Sequence, residues 1–139
     1  MKRAYLSIGY QSKERLTPEI NTIREVLATQ NIILFIFIDN YHFANKEEKQ
    51  MMQMAFNEIK QSDLLIAEVS EKAIGVGIEI GYAVALTIPV IYLRNLLAEH
   101  STTASGSANH TIIYENTADL SFQLLQALIS LKNETIRLF

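Results

Sequence analysis

Glu79 is the residue of this chain whose neighbours best equip it for chemistry. It stands in the run Gly75-Val76-Gly77-Ile78-Glu79-Ile80-Gly81, downstream of an apolar stretch, Leu64 to Ala67, that ends in Glu68-Val69. The spacing predicts a strand, a tight turn at Gly75-Val76-Gly77, and the start of a helix that carries one carboxylate. In an open α/β sheet ligands bind beyond the carboxyl ends of the strands, and helix N-termini there favour anionic groups. A helix dipole and free N–H groups hold a nearby carboxylate ionised, so a lowered pKa is expected for Glu79. Such a carboxylate can attack or stabilise the anomeric carbon of a sugar whose leaving group departs through an oxocarbenium-like transition state. Glycines at Gly75 and Gly77 let a ligand approach the backbone closely. The same pattern also suits a glutamate that only caps a helix above a glycine turn.

The elements that must position Glu79 follow from periodicity. Apolar runs alternate with segments of helical period, the pattern of βαβ units and a mostly parallel sheet. Strands are expected at Ala4 to Ile8, Ile32 to Ile38, Asp63 to Val69, Pro89 to Leu93 and Thr111 to Tyr114. Thr17-Pro18-Glu19 reads as an N-cap, a proline at the first helical position and an acid in the first turn, opening a helix to about Gln30. Asn45 with Glu48 reads as a second cap, before Met52, Ala55, Phe56 and Ile59 at helical spacing. A third helix is expected over Gly77 to Leu86, and Leu120, Leu124, Leu125, Leu128 and Ile129 mark a last one. The stretch Asn133 to Phe139 is open. Asn95 to His110 reads as one long loop, and loops of this length in compact domains are usually functional or mobile.

Composition narrows the function. The chain has 139 residues, 49% of them hydrophobic, which suits one domain with a substantial core spanning 1–139. Twelve basic and fifteen acidic residues give a net charge of −3, with no basic cluster of the kind nucleic-acid polymers require. Without cysteine there is no thiol nucleophile and no cysteine-based zinc site. His42, His100 and His110 lack ligand spacing, so neither a metal nor a cofactor is expected. No apolar run is long and uninterrupted enough to predict a membrane span, and the N-terminal run is broken by Ser7, Gly9 and Gln11, so a cytoplasmic protein is expected. Glu68 at a strand end reads as a water-exposed charge, and Met51, Met52 and Met54 as helix packing.

The run AEVSEKAIGVGIEIGYAVAL, Ala67 to Leu86, resembles the signature of the nucleoside 2-deoxyribosyltransferase family, in particular its 2'-deoxynucleoside 5'-monophosphate N-glycosidase branch. The similarity is ungapped over Ser62 to Leu93 and weaker from Tyr5 to about Tyr114. It implies a flavodoxin-like fold, a five-stranded parallel sheet flanked by helices, in agreement with the strand count above. It also implies that Glu79 is the nucleophile, that Tyr5, or else Tyr10, orients it, and that a nucleoside or nucleotide is bound near Ser7, Gly9, Gly75 and Gly77. Thr103 aligns best with a hydroxyl residue that, in the resembling hydrolases, helps bind the substrate phosphate from a neighbouring subunit, and Ser101, Thr102 and Ser105 could share the task, so a homo-oligomer is implied.

Departures from the family pattern are specific. Ala55 stands where the family carries a catalytic aspartate, and Ala73 where the monophosphate hydrolases carry a phosphate-binding serine. The loop Gly9-Tyr10-Gln11-Ser12 lacks their repeated glycines. Asp39, His42 and Glu58 are the groups that could replace the aspartate, and each also suits a plain structural role: an Asx turn, a solvated loop histidine, a surface helix glutamate. The resulting expectation is an enzyme of the N-glycosidic bond, hydrolysis preferred over transfer. The alternatives are a nucleotide-binding module without turnover and a TIR-like NAD-cleaving enzyme.

Overall fold

The computed structural model describes residues 1–134. Five strands, β1 (Lys2–Ser7), β2 (Ile32–Ile36), β3 (Leu64–Glu68), β4 (Val90–Asn95) and β5 (His110–Tyr114), form one sheet in the order β2-β1-β3-β4-β5, and every pair is parallel. Helices α1 (Thr17–Thr29) and α6 (Thr117–Glu134) cover one face. The other face carries α3 (Glu48–Lys60) and α4 (Ile74–Ala85), with two short helices, α2 (Phe37–Asn40) and α5 (Thr102–Ser107), beside them. The expected α/β class with five parallel strands is what the chain forms.

Side-chain alternation divides the core in two. Ala4, Leu6, Leu64 and Ile66 point to the α1 and α6 layer, while Tyr5, Leu65 and Ala67 point to α3 and α4. Burial on both faces explains why the central strands read as continuous apolar runs and not as alternating ones. Because all strands run the same way, the carboxyl ends of β1 and β3 open at one edge, beside the start of α4.

Several boundaries differ from expectation for local reasons. The apolar run after Ile32 does not stay extended to Ile38, because α2 begins at Phe37 and the rings of Phe37, Tyr41 and Phe43 stack on one another. Thr17 is not the cap of α1: it is the first helical residue after Leu16, and its hydroxyl donates to the Glu14 carbonyl at 2.7 Å. Before α3, Glu47 and not Glu48 reaches back, accepting from the Ala44 amide at 2.8 Å.

The largest correction concerns Gly75-Val76-Gly77, which forms no turn. α4 starts at Ile74, and neither glycine has a positive φ. Val76, Ile80 and Ala83 recur at helical spacing and are buried against the sheet, and that burial outweighs the ~1 kcal/mol that glycine costs a helix. The stretch Asn95 to His110 likewise contains α5, capped by Ser101, whose Oγ accepts from the Ala104 amide at 3.4 Å. Of Asn133 to Phe139, Asn133 and Glu134 are helical, and 135–139 lie outside the described residues. Among the described residues no helix is long and apolar enough to cross a membrane.

Candidate active site

Tyr5 and Ser7 lie two residues apart on β1 and so share a face of the sheet. α4 passes over that face and brings Glu79 down on both. The Tyr5 hydroxyl donates to Glu79 Oε2 at 2.5 Å, and the Ser7 hydroxyl donates to Oε1 at 2.6 Å. Each carboxylate oxygen therefore holds one donor, which fixes its orientation while leaving lone pairs free. Charge-assisted bonds of this kind are the strong ones.

Electrostatics run against the sequence-based expectation for Glu79. Burial pushes its carboxyl above the ordinary carboxylate range, and the donors Ser7 and Tyr5 pull it back only in part. Glu79 lies past the first turn of α4, where a helix dipole has faded, so desolvation prevails. The Tyr5 phenol, 1% exposed, is pushed far above its usual value by burial, then by the charge of Glu79 and the bond to it. Tyr5 thus keeps its proton and serves as a donor.

The carboxylate borders a cavity of about 160 Å³ whose other walls include Gly9, Tyr10, Phe37, Met51, Met52, Ala55 and Gly75. Gly9 has neighbours at ordinary contact distance, since a Cβ there would stand 3.4 Å from Ser12 Oγ and 3.5 Å from the Ala73 Cβ. Gly75 has open space where a side chain would be. A second cavity, of about 380 Å³, shares Ala73 and Val76 with the first and is lined by Lys72, Gly77, Ser101, Thr103 and Ser107. The start of α4 therefore lies between a chamber holding Glu79 and a second, also mainly apolar, whose wall carries a lysine and three hydroxyls.

Of the residues singled out from sequence, Tyr5, Gly9, Gly75 and Glu79 meet at the first cavity, and Gly77, Ser101 and Thr103 at the second. Ser7 is turned to Glu79 and lines neither, and Thr102 is exposed on α5 and lines neither. Asp39 is drawn away by an ion pair with Lys13, and His42 lines an adjoining hollow with Tyr41, Phe43 and Glu48. Glu58 is buried, 3.3 Å from Arg3 Nη1 and bonded by the Tyr41 hydroxyl at 2.9 Å, so it holds α3 to β1 and not a ligand.

Glu68 is also corrected. It is 3% exposed, not a solvated strand end, and it faces the α1 and α6 layer, away from Glu79. Tyr114 donates to its Oε2, and the Ser70 amide and hydroxyl donate at 2.7 and 2.9 Å. Burial raises its pKa and these donors counter it. Sequence reasoning missed Phe37, Met51 and Met52 as cavity walls, and Tyr10, the second candidate for orienting Glu79, lines the cavity but directs its hydroxyl to the Met51 sulfur. The methionines were legible as one side of α3, but which side meets β1 depends on packing. Among the described residues no group of three or more His, Asp or Glu side chains is gathered to hold a metal.

Comparison with known proteins supplies the wider context. The family model for nucleoside 2-deoxyribosyltransferase matches residues 8–124. A protein of Syntrophotalea carbinolica that carries the name 2'-deoxynucleoside 5'-phosphate N-hydrolase 1 is 46% identical over 54 residues, a match covering 39% of this chain and 38% of that one. The chain thus aligns with about two fifths of that curated relative's length. Among solved structures, a Clostridium botulinum CMP N-glycosidase superposes with TM-score 0.66 at 24% identity, covering 88% of this chain and 98% of that one. A 2-deoxyribosyltransferase from Bacillus psychrosaccharolyticus gives TM-score 0.67 at 17% identity, covering 88% and 95%. At these identities the superpositions speak for the fold, and the sequence model, spanning most of the chain, speaks for descent. This chain belongs to the nucleoside 2-deoxyribosyltransferase family.

Proposed function

We propose that this protein cleaves the N-glycosidic bond of a nucleoside or nucleoside 5'-monophosphate, with Glu79 as nucleophile and water as the preferred acceptor. The observation that carries this reading is the pair of hydroxyl donors on opposite oxygens of Glu79 at the wall of a cavity. In the reaction a Glu79 oxygen bonds to C1′ as the bond to the base breaks, through an oxocarbenium-like transition state, and water then releases the sugar. Tyr5 and Ser7 hold the carboxylate on line. The base occupies the apolar chamber, and a 5'-phosphate extends past Ala73 towards Lys72, Ser101 and Thr103.

The same reading makes the protein a cytoplasmic homo-oligomer. Its support is the helix α4, which leaves Ile74 86% and Ile78 47% exposed beside the second cavity, an apolar surface suited to a second copy. The test of function is chromatography after incubation with deoxynucleotides, ribonucleotides and their nucleosides. Free base is the expected product, and a protein that binds these compounds without releasing base is a binding module instead. Sedimentation at working concentration tests the assembly.

A further inference from the structure

A neutral nucleobase is a poor leaving group. It departs as an anion unless an acid within hydrogen-bond reach protonates it in the transition state, a contribution of roughly 10²–10⁴-fold. Among the described residues lining the Glu79 cavity, the only side chains with an acidic proton to give are Glu79, Tyr5 and Tyr10. Glu79 is taken as the nucleophile. Tyr5 has its proton committed to Glu79 Oε2, and burial holds its acidity down. Tyr10 directs its hydroxyl to the Met51 sulfur at 2.9 Å. Of the other candidates, Asp39 is paired with Lys13, Glu58 with Arg3 and Tyr41, and His42 lines the adjoining hollow and not this cavity.

Charge gives a second, independent observation. Glu79 is held by two neutral hydroxyls, and among the described residues no lysine or arginine lines its cavity. A carboxylate in an apolar chamber without a counter-ion carries a desolvation cost that a cationic ligand would relieve. The chamber is otherwise walled by Tyr10, Phe37 and Met51, polarisable groups that favour a flat, delocalised cation over a hydrated one.

We propose that the preferred substrates of this site are nucleosides or nucleotides whose base is already positively charged, an N-alkylated purine or an N-substituted pyridinium. This rests on Glu79 attacking C1′, as proposed above. As the Glu79 oxygen bonds to C1′, the C1′–N bond breaks and both its electrons pass to the ring nitrogen, cancelling its charge. The base leaves as a neutral molecule and no acid is needed. Water then attacks C1′, the ester oxygen regains its electrons as the Glu79 carboxylate, and the proton from water passes to solvent. One proton is released per turnover, whereas a neutral base takes that proton up.

Two measurements on the full chain test the proposal. In the first, calorimetric titration compares the cation 1-methylnicotinamide with neutral nicotinamide. The cation should bind at least ~10-fold more tightly, in line with an unscreened charge contact, and Glu79→Gln should remove the difference. Equal affinities overturn the proposal whether or not any substrate turns over. In the second, release of base and of protons is followed for 2'-deoxyguanosine 5'-monophosphate, its N7-methyl derivative and nicotinamide mononucleotide. A kcat/KM at least ~10²-fold higher for a charged substrate is expected, with Ala55→Asp narrowing the gap by raising only the neutral one. A neutral substrate cleaved as fast as the charged ones overturns this proposal and leaves Glu79 as nucleophile. Cleavage of none of the three, with the cation still preferred in binding, overturns the glycosidase reading and leaves the cation site.

Discussion

The Tyr5 hydroxyl donates to Glu79 Oε2 across 2.5 Å and so ties the central strand β1 to helix α4, 74 residues downstream. With Ser7 on the other oxygen, the bond counters in part the rise in pKa that burial imposes on the carboxyl. Removing either donor therefore moves the Glu79 pKa further up. For Tyr5→Phe and for Ser7→Ala, the acidic limb of the pH–rate profile should shift to higher pH by roughly one unit, as loss of a ~1.5 kcal/mol charge-assisted bond implies. A rate loss at all pH values with no shift of the limb would make these residues packing groups and not positioning groups.

Gly75 offers a way to separate fold from ligand space. It is helical, yet a Cβ there meets nothing within 4 Å, and it borders the Glu79 cavity. Gly75→Ala should raise stability by about 0.5–1 kcal/mol, because alanine loses less backbone entropy in a helix. Ligand affinity should fall, since the methyl group enters the chamber. Thermal unfolding and titration together check both halves, and unchanged affinity would place the ligand elsewhere.

How much of this was legible in the sequence depends on how local each signal is. The strands were: the apolar runs of β3 and β4 reflect burial on both faces, while β2, equally apolar and so expected to be central, is an edge strand that leaves Ile33 half exposed. Glu79 was singled out by its glycine-rich surroundings, yet the same glycines misled: they suggest a turn, while the helix is decided by Val76, Ile80 and Ala83 packing on the sheet. The burial of Glu68 was illegible because its partner, Tyr114, is 46 residues away. Asp39 was illegible for the same reason, since Lys13 claims it from 26 residues upstream.

The Glu68 network makes a prediction about stability and pH. Burial places the folded-state pKa of Glu68 above its unfolded value, so its contribution is fully present below the unfolded pKa and is lost as pH rises through the folded one. Tyr114→Phe removes a donor and raises that folded pKa further. The variant should lose about 1–3 kcal/mol, and the loss should be larger at pH 8 than at pH 5. Urea titrations at both values check the sign. A loss greater at the acidic pH would contradict it.

Thr87 follows α4 with φ at 59°, a left-handed conformation that a β-branched side chain adopts at a cost of roughly 1–2 kcal/mol. Its backbone amide still closes the helix by donating to the Val84 carbonyl at 3.0 Å. Thr87→Asn keeps that bond and suits the conformation, so the melting temperature should rise. A fall would show that the threonine side chain contributes something the backbone geometry does not reveal.

The central claim is that Glu79 is the nucleophile, and Glu79→Gln tests it most directly because the amide keeps the shape and can still pair with the Tyr5 and Ser7 hydroxyls. Turnover of the substrate that the wild-type protein cleaves fastest should drop by about 10³-fold or more, as loss of a nucleophile commonly does. The thermal transition should stay sharp, at or above the wild-type temperature, since a buried charge has been removed. A well-folded Glu79→Gln protein that releases base at the wild-type rate would contradict the account.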